Sequence, residues 1–290
     1  MSWSNGIILI TFAAAIVNGA LGYGFSSITV PLALFLVSNR VLNPALVAIE
    51  VVLNAYVLWV NRAAVPRVIG RVIPVVAGLV PGVAAGTLVV AHVSPAWVKL
   101  VTYLALLPLI LLQASGLRRP VRAERAAGSA FGVGLGLLYS ITTISGPPLA
   151  MALNNQGFSK GEFRAALGVV RLAESSLTAL AYLSVGLFAH ESLALVPSIV
   201  PSVVVGVPVG AALIRHLSPE TFRRICMSFD AWVVGFGLSM LLRELRLVEG
   251  AAAFGVLAIV IAIDAWLLYR YFVGRPEGLH YGRQPDDATR

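Results

Sequence analysis

Five charged residues lie inside long apolar stretches of this 290-residue chain: Glu50, Arg171, Glu174, Asp230 and Asp264. A charge at the middle of a membrane helix costs roughly 2.5–3.5 kcal/mol on insertion scales, so each calls for a countercharge, a ligand or a proton. Arg171 and Glu174 are three residues apart and can pair along one helix face. That pair can pin two helices together as a neutral unit. Alternatively, Arg171 serves as countercharge to a bound anion, with Glu174 or Glu50 as a protonatable coupling group. Asn54 and Thr178 sit one turn beyond the two acids, at matching positions, and are candidates for substrate contact. Asp230 has no acidic counterpart in the first half, and Asp264 reads as structural.

The acids belong to a repeat with a fixed offset of 124 residues. Glu50 recurs as Glu174, Gly82 as Gly206, Gly86 as Gly210, His92 as His216, and Ser94-Pro95 as Ser218-Pro219. A duplicated apolar chain with paired polar residues at depth is a candidate transporter. Two glycine-rich breaks supply further groups that could meet a ligand. Gly22-Tyr23-Gly24-Phe25-Ser26-Ser27 interrupts one apolar region, and Thr142-Thr143-Ile144-Ser145-Gly146-Pro147-Pro148 interrupts another. Backbone N–H groups freed at such breaks are tolerated in a membrane where they line a cavity or meet a ligand. The start of each second arm offers helix N-terminal N–H groups beside hydroxyls: Ser26, Ser27 and Thr29 in one, Thr142, Thr143 and Ser145 in the other. Positive dipole ends and hydroxyl donors suit an oxyanion. The bland alternative is that Gly22, Gly24, Gly146 and the prolines merely permit tight packing.

The elements that must hold these residues are membrane helices. The chain is 58% hydrophobic and only 12% charged, with a mean hydropathy of +0.88; soluble domains carry roughly 25% charged residues. Apolar windows of about 20 residues recur along nearly the whole length, as crossing a bilayer requires. The opening Met-Ser-Trp-Ser-Asn carries no basic residue ahead of the first apolar run, which argues against a cleaved signal. The lone Cys226 excludes an internal disulfide and a cysteine metal cluster. The net charge of +8 sits between apolar segments, so it reads as a topology signal and not as a nucleic-acid surface.

Full spans are expected at about 43–61, 72–91, 97–115, 161–187, 193–214, 222–243 and 249–272. Regions 7–38 and 126–156 are too long for one crossing and broken in the middle. The arms 7–21 and 27–38 would cover ~22 Å and ~18 Å, so a hairpin that dips in and returns fits better than two crossings. With both regions as hairpins, sixteen of the 21 basic residues gather on one side, including those of loops 62–71, 116–125 and 215–224, and four lie on the other. The positive-inside rule then places the N-terminus outside and the C-terminus in the cytoplasm. The expected fold is an all-α polytopic membrane protein. It is an inverted repeat of a re-entrant helical hairpin plus three transmembrane helices, twice, with one extra C-terminal transmembrane helix. Repeat 1 covers about 5–117, repeat 2 about 125–246 and the extra helix 249–272, all in one membrane domain. The tail 273–290 reads as a short disordered cytoplasmic extension. Gly78, Gly82 and Gly86, with Gly206 and Gly210, follow small-xxx-small spacing and let helices approach closely. His92 and His216 read as loop residues near the headgroups.

These residues resemble the TauE/SafE family of membrane transporters, associated with export of sulfite and organosulfur anions. The resemblance rests on Gly19-Ala20-Leu21-Gly22-Tyr23-Gly24-Phe25 leading to Pro31-Leu32, and on Ser145-Gly146-Pro147-Pro148-Leu149 leading to Asn155-Gln156-Gly157. The basic turn from Lys160 to Arg164 and the helix end Tyr182-Leu183-Ser184-Val185-Gly186 add to it. It covers roughly residues 5–270. Tyr23 departs from the family's usual run of three glycines. The resemblance implies a sulfur-containing anion (sulfite, a sulfonate or a related oxyanion or carboxylate) and a place in the bacterial inner membrane.

The leading expectation is therefore a secondary carrier of a small anion, proton-coupled through Glu50 and Glu174, with no cofactor, metal or nucleic-acid partner. Its partners are the substrate and the lipid bilayer, and glycine-rich faces leave a homodimer open. A different class remains: a non-transporting scaffold or assembly subunit whose buried charges pair with a partner helix. A membrane enzyme has least support. Gly132-Val133-Gly134-Leu135-Gly136 lacks the strand-turn-helix context of a dinucleotide site, no GxxxxGK[ST] or HExxH pattern exists, and the acids have no nucleophile nearby.

Overall fold

The computed structural model describes residues 3–114, 125–154, 158–214 and 219–273. Arg118, Arg119, Arg122, Asn155-Gln156-Gly157, Arg215, His216, Ser218 and the tail from residue 274 lie outside the described residues. Eleven α-helices account for most of what is described, with no strand among these residues. They are α1 (Trp3–Leu21), α2 (Phe25–Ala33), α3 (Asn39–Val60), α4 (Val65–His92), α5 (Pro95–Ala114) and α6 (Arg125–Thr142). The chain continues through α7 (Gly146–Asn154), α8 (Lys160–Ser184), α9 (His190–Leu213), α10 (Pro219–Glu244) and α11 (Gly255–Val273). An all-helical answer is what a bilayer demands of so apolar a chain, since a helix satisfies its backbone polar groups within the segment.

Six helices are long and apolar enough to cross a membrane: Asn39–Val60, Arg62–His92, Gly161–Ser184, His190–Leu213, Arg224–Glu244 and Gly250–Val273. They are six of the seven expected full spans. The seventh, 97–115, falls on α5, an apolar helix of 20 residues. α1 and α6, the first arms of the two broken regions, run 19 and 18 residues.

Two expectations about loops need correction. Segment 62–71 is not a loop: a single 3-10 turn, Arg62–Ala64, joins α3 to α4. Pro66 occupies the first turn of α4, where a missing N–H costs nothing, so Arg67 and Arg71 ride on the helix. Arg224, counted with the basic loop 215–224, is buried within α10 instead. At the start of α8 the sequence writes its own stop and start. Ser159 and Glu162 form a reciprocal capping box, Ser159 N–H donating to Glu162 Oε2 at 3.0 Å and Glu162 N–H to Ser159 Oγ at 3.3 Å.

Glycines decide which helices touch. α4 lies along α6, and α1 along α9. A Cβ on Gly78, Gly82 or Gly86 of α4 would run into Ser129 O, Val133 O or Ser140 Oγ of α6. On Gly206 and Gly210 of α9 it would meet Ala15 Cβ at 2.6 Å and Ile16 O of α1. Both pairs run parallel, their contacts advancing together along the chain. The expected packing role of these glycines is what the structure shows.

Each broken segment also turns back beside its own start. A Cβ on Gly6, early in α1, would lie 3.0 Å from Leu36, just past α2. Gly128, early in α6, faces Pro74. Beyond α7, the Phe158 ring lies 5.1 Å from the Arg71 guanidinium, again at the first turns of α4.

The glycine contacts make a stability prediction. Gly82→Ala and Gly210→Ala force backbone apart and should each cost about 1–3 kcal/mol or more. Gly134→Ala, with nothing within 4 Å of the added carbon, should be nearly silent. Thermal unfolding in detergent ranks the three; equal midpoints would show that the close approach does not matter.

Candidate functional site

Both breaks hold residues with left-handed backbone. Gly22 and Gly24 take φ of 81° and 105°, a region that side chains with a Cβ rarely enter. Thr143 takes φ of 57° without that freedom. Tyr23, between the two glycines, packs against Gly146 at the start of α7, where a Cβ would sit 3.2 Å from Tyr23 Cβ. The two breaks therefore touch each other.

From that contact a buried polar cluster extends into α3 and α8. Ser26 Oγ, in the first turn of α2, donates to Glu50 Oε1 of α3 at 2.6 Å. Ser145 Oγ, just before α7, donates to Glu174 Oε1 of α8. The same relation holds in both halves of the chain: a hydroxyl at a break, bonded to the acid of its own half. Arg171 lies between the acids. Its Nη2 donates to Glu50 Oε1 at 3.0 Å, whereas its Nε is 4.0 Å from Glu174 Oε1. The expected i, i+3 pair with Glu174 is thus the looser one, and the tight pair crosses between halves. Asn54 supports the crossing, its Nδ2 donating to Arg171 O at 3.3 Å and Ser175 Oγ at 3.5 Å. Glu50, Arg171, Glu174, Ser26 and Ser145 are all buried.

Tyr139 was not foreseen. Its hydroxyl, on α6, donates to Glu50 Oε2 at 2.7 Å. The available signal was a phenol in a glycine-rich membrane helix one turn before a break, where a buried O–H needs a partner. Glu50 thus accepts on both oxygens. Glu174 Oε2, although buried, has no hydrogen-bond partner among the described residues.

Other expected residues are placed differently. Thr142 and Thr143 do not open the second arm: Thr142 ends α6 and Thr143 lies in the turn. Thr142 Oγ1 donates to Leu138 O at 2.7 Å and accepts from Ile144 N–H at 3.0 Å, while Thr143 Oγ1 donates to Thr142 O at 2.7 Å. Both shape the turn. Pro147 and Pro148, in the first turn of α7, have no N–H to give. Amide donation at the two breaks is therefore unequal: Phe25, Ser26 and Ser27 open α2 with N–H groups, and α7 relies on Ser145 and the Gly146 N–H. Ser27 is buried on α2. Thr178 and Thr29 keep buried hydroxyls that have no partner among the described residues. Asp264 behaves as expected of a structural acid. It accepts from Arg224 at 3.2 Å, Ser228 at 3.1 Å and Trp232 at 3.1 Å, fastening α11 to α10. Asp230 is buried on α10, outside these contacts, its Oδ2 without a partner.

A family model described as sulfite exporter TauE/SafE matches residues 7–240, most of the chain. Its match ends within α10, so α11 lies beyond it. Among curated proteins and among solved structures nothing matches.

The ion pair has a measurable cost of disruption. Arg171→Met leaves Glu50 buried without its countercharge and should lower stability by about 3–5 kcal/mol. Adding Glu50→Gln, which removes the stranded charge and keeps one acceptor oxygen while its amide N–H can donate to the other hydroxyl, should recover part of that loss. A double variant less stable than the single one would mean that charge compensation is not what the pair provides.

Proposed function

We propose that this chain, which belongs to the sulfite exporter TauE/SafE family, carries a small oxyanion across the membrane by alternating access with proton coupling. Members of the family are membrane transporters. The observation that carries the reading is the convergence of Ser26, Ser145 and Arg171 on two buried carboxylates where two broken helices meet. Two hydroxyls and a guanidinium are the donors an oxyanion needs. Here the carboxylates hold them, in the place that the oxygens of a sulfite, a sulfonate or a carboxylate substrate would take.

Charge then links substrate to proton. One guanidinium between two ionised acids leaves one negative charge in excess, and a bound anion would add to it inside a low-dielectric interior. A proton on one acid offsets that charge, so anion and proton enter together. Glu174 is the acid with an open position, since its Oε2 has no partner. Whether the carrier imports or exports follows from whichever gradient is larger.

An inverted arrangement of the two halves is supported by the swapped packing, α4 of the first half on α6 of the second and α9 of the second on α1 of the first. The doubling back of both broken segments supports re-entrant hairpins. The basic residues support an N-terminus outside and a C-terminus in the cytoplasm. Against the scaffold reading, the buried cations Arg171 and Arg224 find carboxylates within the chain itself.

Purified protein in proteoliposomes tests this. Wild type should take up sulfite or a simple sulfonate together with protons; no flux of either would leave the scaffold reading in place. Ser26→Ala and Ser145→Ala each remove a hydrogen bond to a charged ligand, worth about 1.5–3 kcal/mol, and should weaken apparent affinity about ten- to hundredfold. Glu174→Gln should flatten the dependence of flux on pH, and a profile like that of wild type would remove Glu174 from coupling.

A further inference from the structure

We infer that Tyr139 is a positioning residue that commits Glu50 to Arg171 and confines the exchangeable proton to Glu174; this rests on the proton-coupled reading above. The two acids occupy matching places in the repeat, yet their surroundings differ. Glu50 accepts from Ser26 and Arg171 on Oε1 and from Tyr139 on Oε2, at 2.6, 3.0 and 2.7 Å. Glu174 accepts from Ser145 on Oε1, has the Arg171 Nε at 4.0 Å, and has no partner on Oε2. At the 124-residue offset of the acids Arg171 corresponds to Val47, and among the described residues no donor meets Glu174 Oε2 as Tyr139 meets Glu50 Oε2. A proton reaching Glu50 competes with three donors already drawn to its charge. One reaching Glu174 finds an open lone pair.

The Tyr139 hydroxyl is held in place from three directions. Its ring packs with Val47 and Tyr182. Tyr182 donates to Ser140 O, and Asn43 Nδ2 donates to Ile141 O at 2.7 Å, which ties the end of α6 to α8 and α3. The titratable and charged groups facing Glu50 are Tyr139 from α6 and Arg171 with Glu174 from α8; α2 contributes the Ser26 hydroxyl.

Tyr139→Phe keeps the ring and deletes the donor. Infrared difference spectra across a pH series read protonated carboxyls directly, and proteoliposome flux gives protons moved per sulfite. Wild type should show a carboxylic band that is lost in Glu174→Gln. Tyr139→Phe should add a second band, lost again in Tyr139→Phe with Glu50→Gln, and protons per anion should rise. A Tyr139→Phe protein with an unchanged spectrum and stoichiometry, and only a slower rate, would overturn the assignment. Should that variant not fold, Glu50→Asp draws the carboxyl back from the same hydroxyl and must show the same extra band. Absence of anion-linked proton uptake in wild type would sink the coupling reading by itself, and the spectra would still decide whether Tyr139 governs Glu50.

Discussion

A buried charge must be matched, and the Arg171–Glu50 pair is where this chain meets that requirement most expensively. Neither partner can be withdrawn alone, because the other would remain ionised in an apolar interior. The pair therefore fixes α3 against α8 at one height, and Asn54 holds the same crossing through Arg171 O. Through Ser26 and Tyr139, Glu50 extends the constraint to α2 and α6. Four helices are thereby referenced to one carboxylate. The glycine contacts have a complementary role. They bring α4 to α6 and α1 to α9 closely enough for backbone to meet backbone, and so set how deep each break sits.

Much of this was legible from residue types. Unbroken apolar runs gave the helices, because lipid leaves the backbone no other choice. Gly22-Tyr23-Gly24 and the Ser145-Gly146-Pro147-Pro148 stretch marked both breaks to within a few residues. The 124-residue offset found the two acids together. Helix ends were less legible. The turn at Arg62–Ala64 replaced an expected loop because arginines tolerate a helix as well as a loop, and their charge says nothing about where a helix begins. Arg224 misled for the same reason, since only its contact with Asp264 reveals that it is inside.

Site partners were legible where the repeat marks them and obscure where it does not. Glu50 and Glu174 follow the 124-residue offset, and the serines bonded to them, Ser26 and Ser145, recur 119 residues apart. Tyr139 and Arg171 break it: Arg171 stands where the first half has Val47, and no tyrosine lies in α1 to answer Tyr139. A repeat search looks past such positions because they do not recur. Yet they make two equivalent acids unequal. Thr142 and Thr143 show the converse difficulty: hydroxyls beside a break look like ligands, but a nearby carbonyl can claim them first, as Leu138 O and Thr142 O do here.

The chain contains a second buried ion pair, built differently from the first. Arg224 and Asp264 join α10 to α11, the helix beyond the family match. Asp264 Oδ1 accepts from Arg224 and Ser228, and Oδ2 accepts from the Trp232 indole. Both carboxylate oxygens accept from neighbours on one adjacent helix, as befits an anchor for α11. The central cluster is built otherwise. Its donors come from α2, α6 and α8 together with the residue preceding α7, and one oxygen of Glu174 is left over. Satisfied charge holds a helix in place at lasting cost to nothing else. Incompletely satisfied charge at depth is costly unless something arrives to complete it, and a carrier is a protein in which something does.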